Sequence, residues 1–204
     1  MKISSVKIKN FVKTILTRVP KKRILYNAIF LFVFLLILLL IDQLTKNFIF
    51  KHEDFNEYAP DEKLVINHGW IGFRPLLHRG VTSGLAKVFG FTIIHIFSFL
   101  LLFILIISVL LSKNYFFAAF MIILLAGNIG NELDRLLYQN GVKDIIFIPY
   151  RDKGTFNFAD IFIISGPIGM VVIMVFEIGW PTVNKWYKNQ KHKTSINEEN
   201  NNQN

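Results

Sequence analysis

The chain has 204 residues, is 52% hydrophobic, carries a formal net charge of +9 and contains no cysteine, and its mean hydropathy is +0.42. The length suits one domain, and the apolar content is too high for an ordinary soluble one. Disulfides, thiolate nucleophiles and cysteine-ligated metals are excluded, and His52, His68, His78, His95 and His192 show no H-x-x-x-H or H-E-x-x-H spacing, so no metal site and no cofactor are expected.

Residues 1–23 hold eight lysines and arginines, a basic flank suited to the cytoplasmic side of a membrane. The apolar stretch 24–41 follows, with Asn27 its only strongly polar member; a bilayer core needs about 20 helical residues. Ile41-Asp42-Gln43-Leu44 offers no small-residue cleavage site, so this segment reads as an uncleaved anchor rather than a secretory signal. Residues 43–88 carry Pro60, Pro75 and several glycines, with Lys63-Leu64-Val65-Ile66-Asn67 as a short strand candidate. A small, partly β, extracytoplasmic subdomain is expected there.

Three further apolar stretches complete the span count. The second covers 89–111 and contains His95, read as a polar residue satisfied between helices. The third covers 115–133 and turns polar at Gly127, Asn128 and Asn131. After a second outer segment, 135–159, the fourth covers 161–180, interrupted by Gly166-Pro167. The tail 182–204 is polar, its end rich in Asn, Gln, Glu and Lys, and is expected to be a disordered cytoplasmic segment. The reading is an all-α membrane protein with one four-helix domain over 24–181.

Orientation follows from the basic residues. With both termini inside, thirteen basic and three acidic residues face the cytoplasm, against ten basic and eleven acidic outside. That asymmetry places both termini in the cytoplasm of a multi-pass cell-membrane protein. It also assigns the positive charge to membrane flanks rather than to a nucleic-acid surface.

Under this topology Asp42, Asp134, Asp144 and Asp160, four of seven aspartates, gather at the outer level. Each has a structural reading. Asp42 with Lys46 is an i,i+4 helix pair, and Asp134-Arg135 an ion pair. Asp160 is a helix N-cap, and Asp144 a solvated loop residue. Sequence context lifts the last two above those readings. Asp160 ends Phe156-Asn157-Phe158-Ala159-Asp160 and Asp144 leads into Ile145-Ile146-Phe147-Ile148, so both are set among apolar groups. Desolvation raises a carboxyl pKa, and two such groups side by side share one proton, as aspartic peptidases require.

Four motifs in order then point to a family. Asp42-Gln43-Leu44-Thr45-Lys46, Gly130-Asn131-Glu132-Leu133-Asp134-Arg135, Gly141-Val142-Lys143-Asp144 and Phe156-Asn157-Phe158-Ala159-Asp160 resemble the D-Q-x-x-K, G-N-x-x-D-R, G-x-V-V-D and F-N-x-A-D elements of bacterial lipoprotein signal peptidases (signal peptidase II), which are aspartic membrane proteases. The resemblance implies four membrane helices with a small extracytoplasmic β-cradle and a mobile loop. It implies cleavage of diacylglyceryl-modified prolipoproteins just before the lipid-modified cysteine. Asp144 and Asp160 would be the catalytic dyad, and Asp42, Lys46, Gly80, Asn131, Asp134, Arg135 and Asn157 would shape the site and contact substrate. Prolipoproteins and membrane lipids are the partners expected, nucleic acid is not, and a monomer is expected.

The chain departs from that pattern in places. His78-Arg79-Gly80-Val81-Thr82-Ser83-Gly84 keeps the glycine spacing of the family's N-x-G-x-x-x-G but puts His78 at the asparagine. Glu132 and Lys143 stand where apolar residues are common, and the interval from Asp144 to Asp160 is short. Two other readings compete. One is a catalytically silent member that binds lipidated peptides; the other is a small proton- or ion-coupled transporter, for which Glu177 near the inner end of the fourth span speaks.

Overall fold

Lipid leaves no water to satisfy a backbone N–H or C=O, so an apolar chain crossing it must bond to itself as helix. The computed structural model describes residues 19–79 and 85–201. Its long helices are α1 (Lys21–Phe48), α2 (Leu85–Leu110), α3 (Tyr115–Leu137) and α4 (Phe158–Asn201). All four are long and apolar enough to cross a membrane, as the sequence expects. The 28 residues of α1 reach about 42 Å at 1.5 Å per residue, well beyond a core of about 30 Å. The helix therefore carries Asp42 and Lys46 within its C-terminal end instead of stopping before them. In α2 the backbone breaks at Gly90 (φ 75°, ψ 165°), and the continuous span is Gly90–Leu110.

Two features of α4 differ from the sequence reading. The helix runs unbroken through Gly166 and Pro167. Gly166 lies so close to α3 that a Cβ there would come within 2.7 Å of Leu124 Cβ, and at Gly127 one would meet Ala159 O at 2.5 Å. Small residues let membrane helices approach this closely, so the pair closes the α3–α4 seam. The helix also continues to Asn201, where a disordered tail is expected. Lys, Gln and Glu are good helix formers, and extending a formed helix avoids the cost of nucleation.

The bundle core gathers on α3. Ala118, Met121, Ile122, Leu125 and Ala126 pack with Leu38 of α1 and Leu105 and Val109 of α2. Outward faces stay apolar and bare, with Phe32 69%, Phe97 65% and Val175 63% exposed, as lipid-facing surfaces do. Polar contacts tie the helices at intervals. Asn27 is fully buried and donates to the carbonyls of Val109, Leu110 and Ser112 at 3.0, 3.0 and 2.9 Å, satisfying the open end of α2. Ser98 and Asn128 exchange two 3.0 Å bonds between α2 and α3.

Four antiparallel strands lie at the other end, in the order β1 (Ile66–Asn67), β2 (Gly72–Arg79), β3 (Gly141–Phe147), β4 (Thr155–Phe156). Only the last two residues of the strand candidate 63–67 are strand. Asp61 accepts the Lys63 N–H at 3.0 Å and winds Glu62–Leu64 into a 3-10 turn. Pro75, which has no N–H for a ladder, falls at the register shift between Phe73 and Leu76. Arg74 grips Asp152 with two bonds, 2.6 and 2.7 Å, and reaches Thr155 Oγ1 at 2.7 Å, tying β2 to the β3–β4 connection.

β3 is the element that the sequence reading left in an outer loop. It leaves α3 through Gln139 and Asn140, both at positive φ (52° and 68°), a conformation that Asn tolerates. All seven of its residues are buried, so no in-out alternation marks it. Its register sets Leu76 opposite Asp144 and His78 opposite Val142. Lys143 is buried too, its ammonium 2.8 Å from Asn47 Oδ1 and over the rings of Tyr138 and Phe55 at 4.3 and 4.8 Å.

Candidate active site

The polar ends of α1 and α3 meet in a fully buried ion cluster. Lys46 Nζ lies 2.9 Å from Asp42 Oδ2 and 2.9 Å from Asp134 Oδ2, with all three side chains at 0% exposure, and it donates to Asn131 Oδ1 at 3.2 Å. Three acceptors match the three protons of an ammonium. The i,i+4 reading of Asp42 and Lys46 holds, but Asp134 pairs with Lys46 and not with Arg135. Gly130 makes the approach possible, since a Cβ there would lie 2.5 Å from Asp42 Oδ2. Gln43 is a site residue outside the predicted set; its amide donates to Asp42 at 3.0 Å, and its place in the D-Q-x-x-K match was the available signal.

Each carboxylate of the cluster also holds a backbone N–H. Asp42 Oδ1 accepts from Ala159 at 2.9 Å, and Asp134 Oδ2 from Lys143 at 3.1 Å. Ala159 immediately precedes Asp160, and Lys143 immediately precedes Asp144. The cluster thus fixes the backbone on which Asp144 and Asp160 sit.

Those two aspartates converge on Asn157. Its side-chain amide donates to Asp144 Oδ1 at 2.7 Å, and its backbone N–H donates to Asp160 Oδ2 at 3.1 Å. Asn157 Oδ1 in turn accepts the Asp160 N–H at 2.9 Å. That reciprocal pair is a capping box in which Asn157 is the N-cap of α4 and Asp160 its third residue, so the N-cap reading of Asp160 shifts by three positions. Asn131 completes the ring, donating to Asp160 Oδ1 at 2.8 Å while its own Oδ1 accepts from Asn157 at 3.1 Å. Asp144 is 6% exposed and no solvated loop residue. Burial first, and then the charge of Asp160, push its carboxyl well above the usual carboxylate range, against the pull of Lys46.

The pair opens into a cavity of about 680 Å³ lined by Asp144, Asp160, Asn131, His78 and Arg135, with an apolar wall of Leu76, Val142, Phe156, Ile163 and Ile164. Polar chemistry at one side and a greasy wall at the other suit an amphiphilic ligand. Arg135 has Glu132 as its ion-pair partner, Nη1 to Oε2 at 3.6 Å. Glu132 also bonds His95 Nδ1, and His95 Nε2 lies 2.9 Å from Asn140 Oδ1, so His95 is satisfied between elements as expected. Glu177 bonds Asn114 at the opposite end of the bundle, far along α3 from the aspartates. Gly80 lies outside the described residues.

Comparison with known proteins finds relatives by sequence and by fold. The lipoprotein signal peptidase of Clostridium tetani is 29% identical over 148 residues, covering 70% of this chain and 90% of that protein. The lipoprotein signal peptidase of Borreliella afzelii is 28% identical over 159 residues, covering 72% and 88%. Two solved bacterial membrane enzymes, determined by the in meso method, share the fold. One has a TM-score of 0.57 at 20% identity over 71% of this chain and 87% of that one, and the other 0.54 at 21% over 71% and 92%. Residues 34–176 match the family described as signal peptidase (SPase) II, and the chain belongs to that family of aspartic-type membrane peptidases.

Proposed function

We propose that Asp144 and Asp160 are the catalytic dyad with which this enzyme removes signal peptides from prolipoproteins, cleaving before the lipid-modified cysteine at the extracytoplasmic membrane face. The observation that carries this reading is the bridge through Asn157. One residue bonds both carboxylates at the wall of a cavity that is apolar on its other side. The apolar wall offers the acyl chains and signal helix a surface, while the polar side meets the peptide bond.

The chemistry follows from the unequal settings of the two groups. Asp144, buried, holds the shared proton. Asp160, at the positive end of α4 and accepting two N–H bonds, takes a proton from water as the water oxygen attacks the scissile carbonyl carbon. Asp144 gives its proton to the carbonyl oxygen, so no full oxyanion builds up. The intermediate collapses as the C–N bond breaks, the amine takes the proton from Asp160, and the hydroxyl proton returns to Asp144. Asp42, Lys46, Asn131, Asp134 and Asn157 hold the dyad; Arg135 and His78 face the substrate.

The test is cleavage of a diacylglyceryl-modified precursor in detergent by Asp144→Asn and Asp160→Asn. Each loses about 10²–10⁴ in rate, the usual worth of a general acid or base; undiminished cleavage by either variant sinks the dyad. Topology is checked separately, because the chain contains no cysteine. Tyr58→Cys takes an impermeant thiol label from outside whole cells, and Lys113→Cys does not; the reverse pattern overturns the orientation.

A further inference from the structure

We infer that His95 and Glu132 are positioning residues: together they hold Arg135 toward bound substrate and away from the two aspartates that share its cavity. The inference rests on the catalytic reading above and adds two residues to it. Glu132 projects from α3 with its side chain 7% exposed, and His95 from α2 with 23%. His95 Nδ1 engages Glu132 Oε1 while Nε2 faces Asn140 Oδ1 in the turn that launches β3. One carboxylate oxygen is thereby locked, and the other, Oε2, faces Arg135 one helical turn on, 3.6 Å from Nη1.

The distance matters. It is too long for a hydrogen bond and short enough for strong attraction at a buried site. The guanidinium is therefore held by the field of Glu132 while its Nη groups, unlike the buried Nε, stay available to a peptide. Without that counter-charge, a guanidinium lining a cavity with Asp144 and Asp160 would pair with them, because fork-to-carboxylate bonding is the strongest contact open to it. Such a pair would occupy the dyad. Helix packing alone does not account for Glu132 and His95, since a buried ion pair is commonly replaced by apolar residues without loss of stability.

The experiment follows from that contrast. His95→Leu together with Glu132→Leu removes both groups of the buried pair at once and leaves Arg135 without its counter-charge, which is the condition the inference needs. The expected result is a rise in KM on the order of tenfold, the worth of a charge-assisted contact, with kcat changed far less. In an Arg135→Gln background the same double substitution adds nothing further. An unchanged KM in the folded double variant, or effects that simply add, overturns the inference. If the double variant does not fold, Glu132→Gln keeps the bond to His95 and removes the charge facing Arg135; a KM equal to wild type then overturns it. A readout independent of cleavage is the guanidinium ¹⁵N–¹H signal of Arg135 in micelles. It must move in Glu132→Gln, and a signal that stays put refutes the positioning role whether or not a lipidated precursor is cleaved. Absence of cleavage by the wild type would instead fall on the catalytic reading.

Discussion

Lys46→Met is the substitution that probes the site's foundation. The methionine fills nearly the same volume, so the change is one of charge rather than packing. It leaves Asp42 and Asp134, both fully buried and each 2.9 Å from the lost ammonium, without their cation, and strips Asn131 Oδ1 of its 3.2 Å donor. Breaking a buried ion pair by removing one partner costs about 3–5 kcal/mol, because the remaining charge stays desolvated. For a chain of this size about 2–4 °C of midpoint accompanies each kcal/mol, so the expected loss is about 6–20 °C. The assay is the temperature at which half the detergent-solubilised protein leaves the monodisperse peak. Adding Asp42→Asn and Asp134→Asn to Lys46→Met removes the orphaned charges and should return most of the loss, although not the activity, since Asn131 still lacks the Lys46 ammonium and the backbone N–H groups face weaker, neutral acceptors. A Lys46→Met variant as stable as wild type would refute the cluster as the organising feature.

Three further outcomes are expected. Gly130→Ala places a Cβ 2.5 Å from Asp42 Oδ2 and 3.1 Å from Ala159 Cβ, a clash worth about 1–3 kcal/mol, read as a lower midpoint with reduced cleavage. Asn157→Ala removes the N-cap of α4, about 1 kcal/mol by itself, and frees the Asp144 carboxyl of its side-chain donor while the backbone N–H to Asp160 stays; rate should fall far more than stability, and a variant that loses only stability contradicts the bridge. Asp144→Asn reports on the buried carboxyl through pH. Burial and the charge of Asp160 raise its folded pKa, so the stability it contributes is complete below the ordinary carboxylate range and drains away as pH climbs through the raised value. The midpoint of the Asn variant minus that of wild type should therefore grow as pH rises above the ordinary carboxylate range; a pH-independent difference denies the raised value.

The spans were legible because lipid imposes a length and a composition that few other environments demand. The polar ends of α1 and α3 were not. Asp42, Lys46 and Asp134 look like terminators in a one-dimensional reading, yet they neutralise one another inside the helices, and only the fold brings α1 and α3 together. β3 was hidden for a related reason. A strand buried on both faces has no alternation, and its partner β2 lies some seventy residues earlier. The capping box was readable in principle, since Asn157 and Asp160 stand at the N-cap and third positions before an apolar run. Choosing Asp144 over Asp134 as partner to Asp160 was beyond residue patterns and came from family resemblance. In the structure Asp134 is tied to Lys46 and to the Lys143 N–H while Asp144 lines the cavity, an arrangement that supports the proposed choice.

A buried charge cluster at a helix junction calls for an explanation, because apolar side chains would hold α1 and α3 together at least as well. What apolar side chains cannot do is accept a hydrogen bond. Asp42 and Asp134 each spend one carboxylate oxygen on Lys46, and each grips the backbone N–H one residue before a dyad aspartate. β3 and α4, which carry the proposed dyad, are thereby referred to a single point, the Lys46 ammonium, through two contacts of the same kind. The separation of Asp144 and Asp160 is then set by the geometry of one rigid cluster rather than by the sum of two loops. A shared proton demands that degree of fixity, since the coupling between two carboxyls falls steeply with distance. On the proposed mechanism the charges in the bundle therefore serve position more than cohesion, and the stability they put at risk is the cost of a dyad that keeps its spacing at the edge of a fluid bilayer.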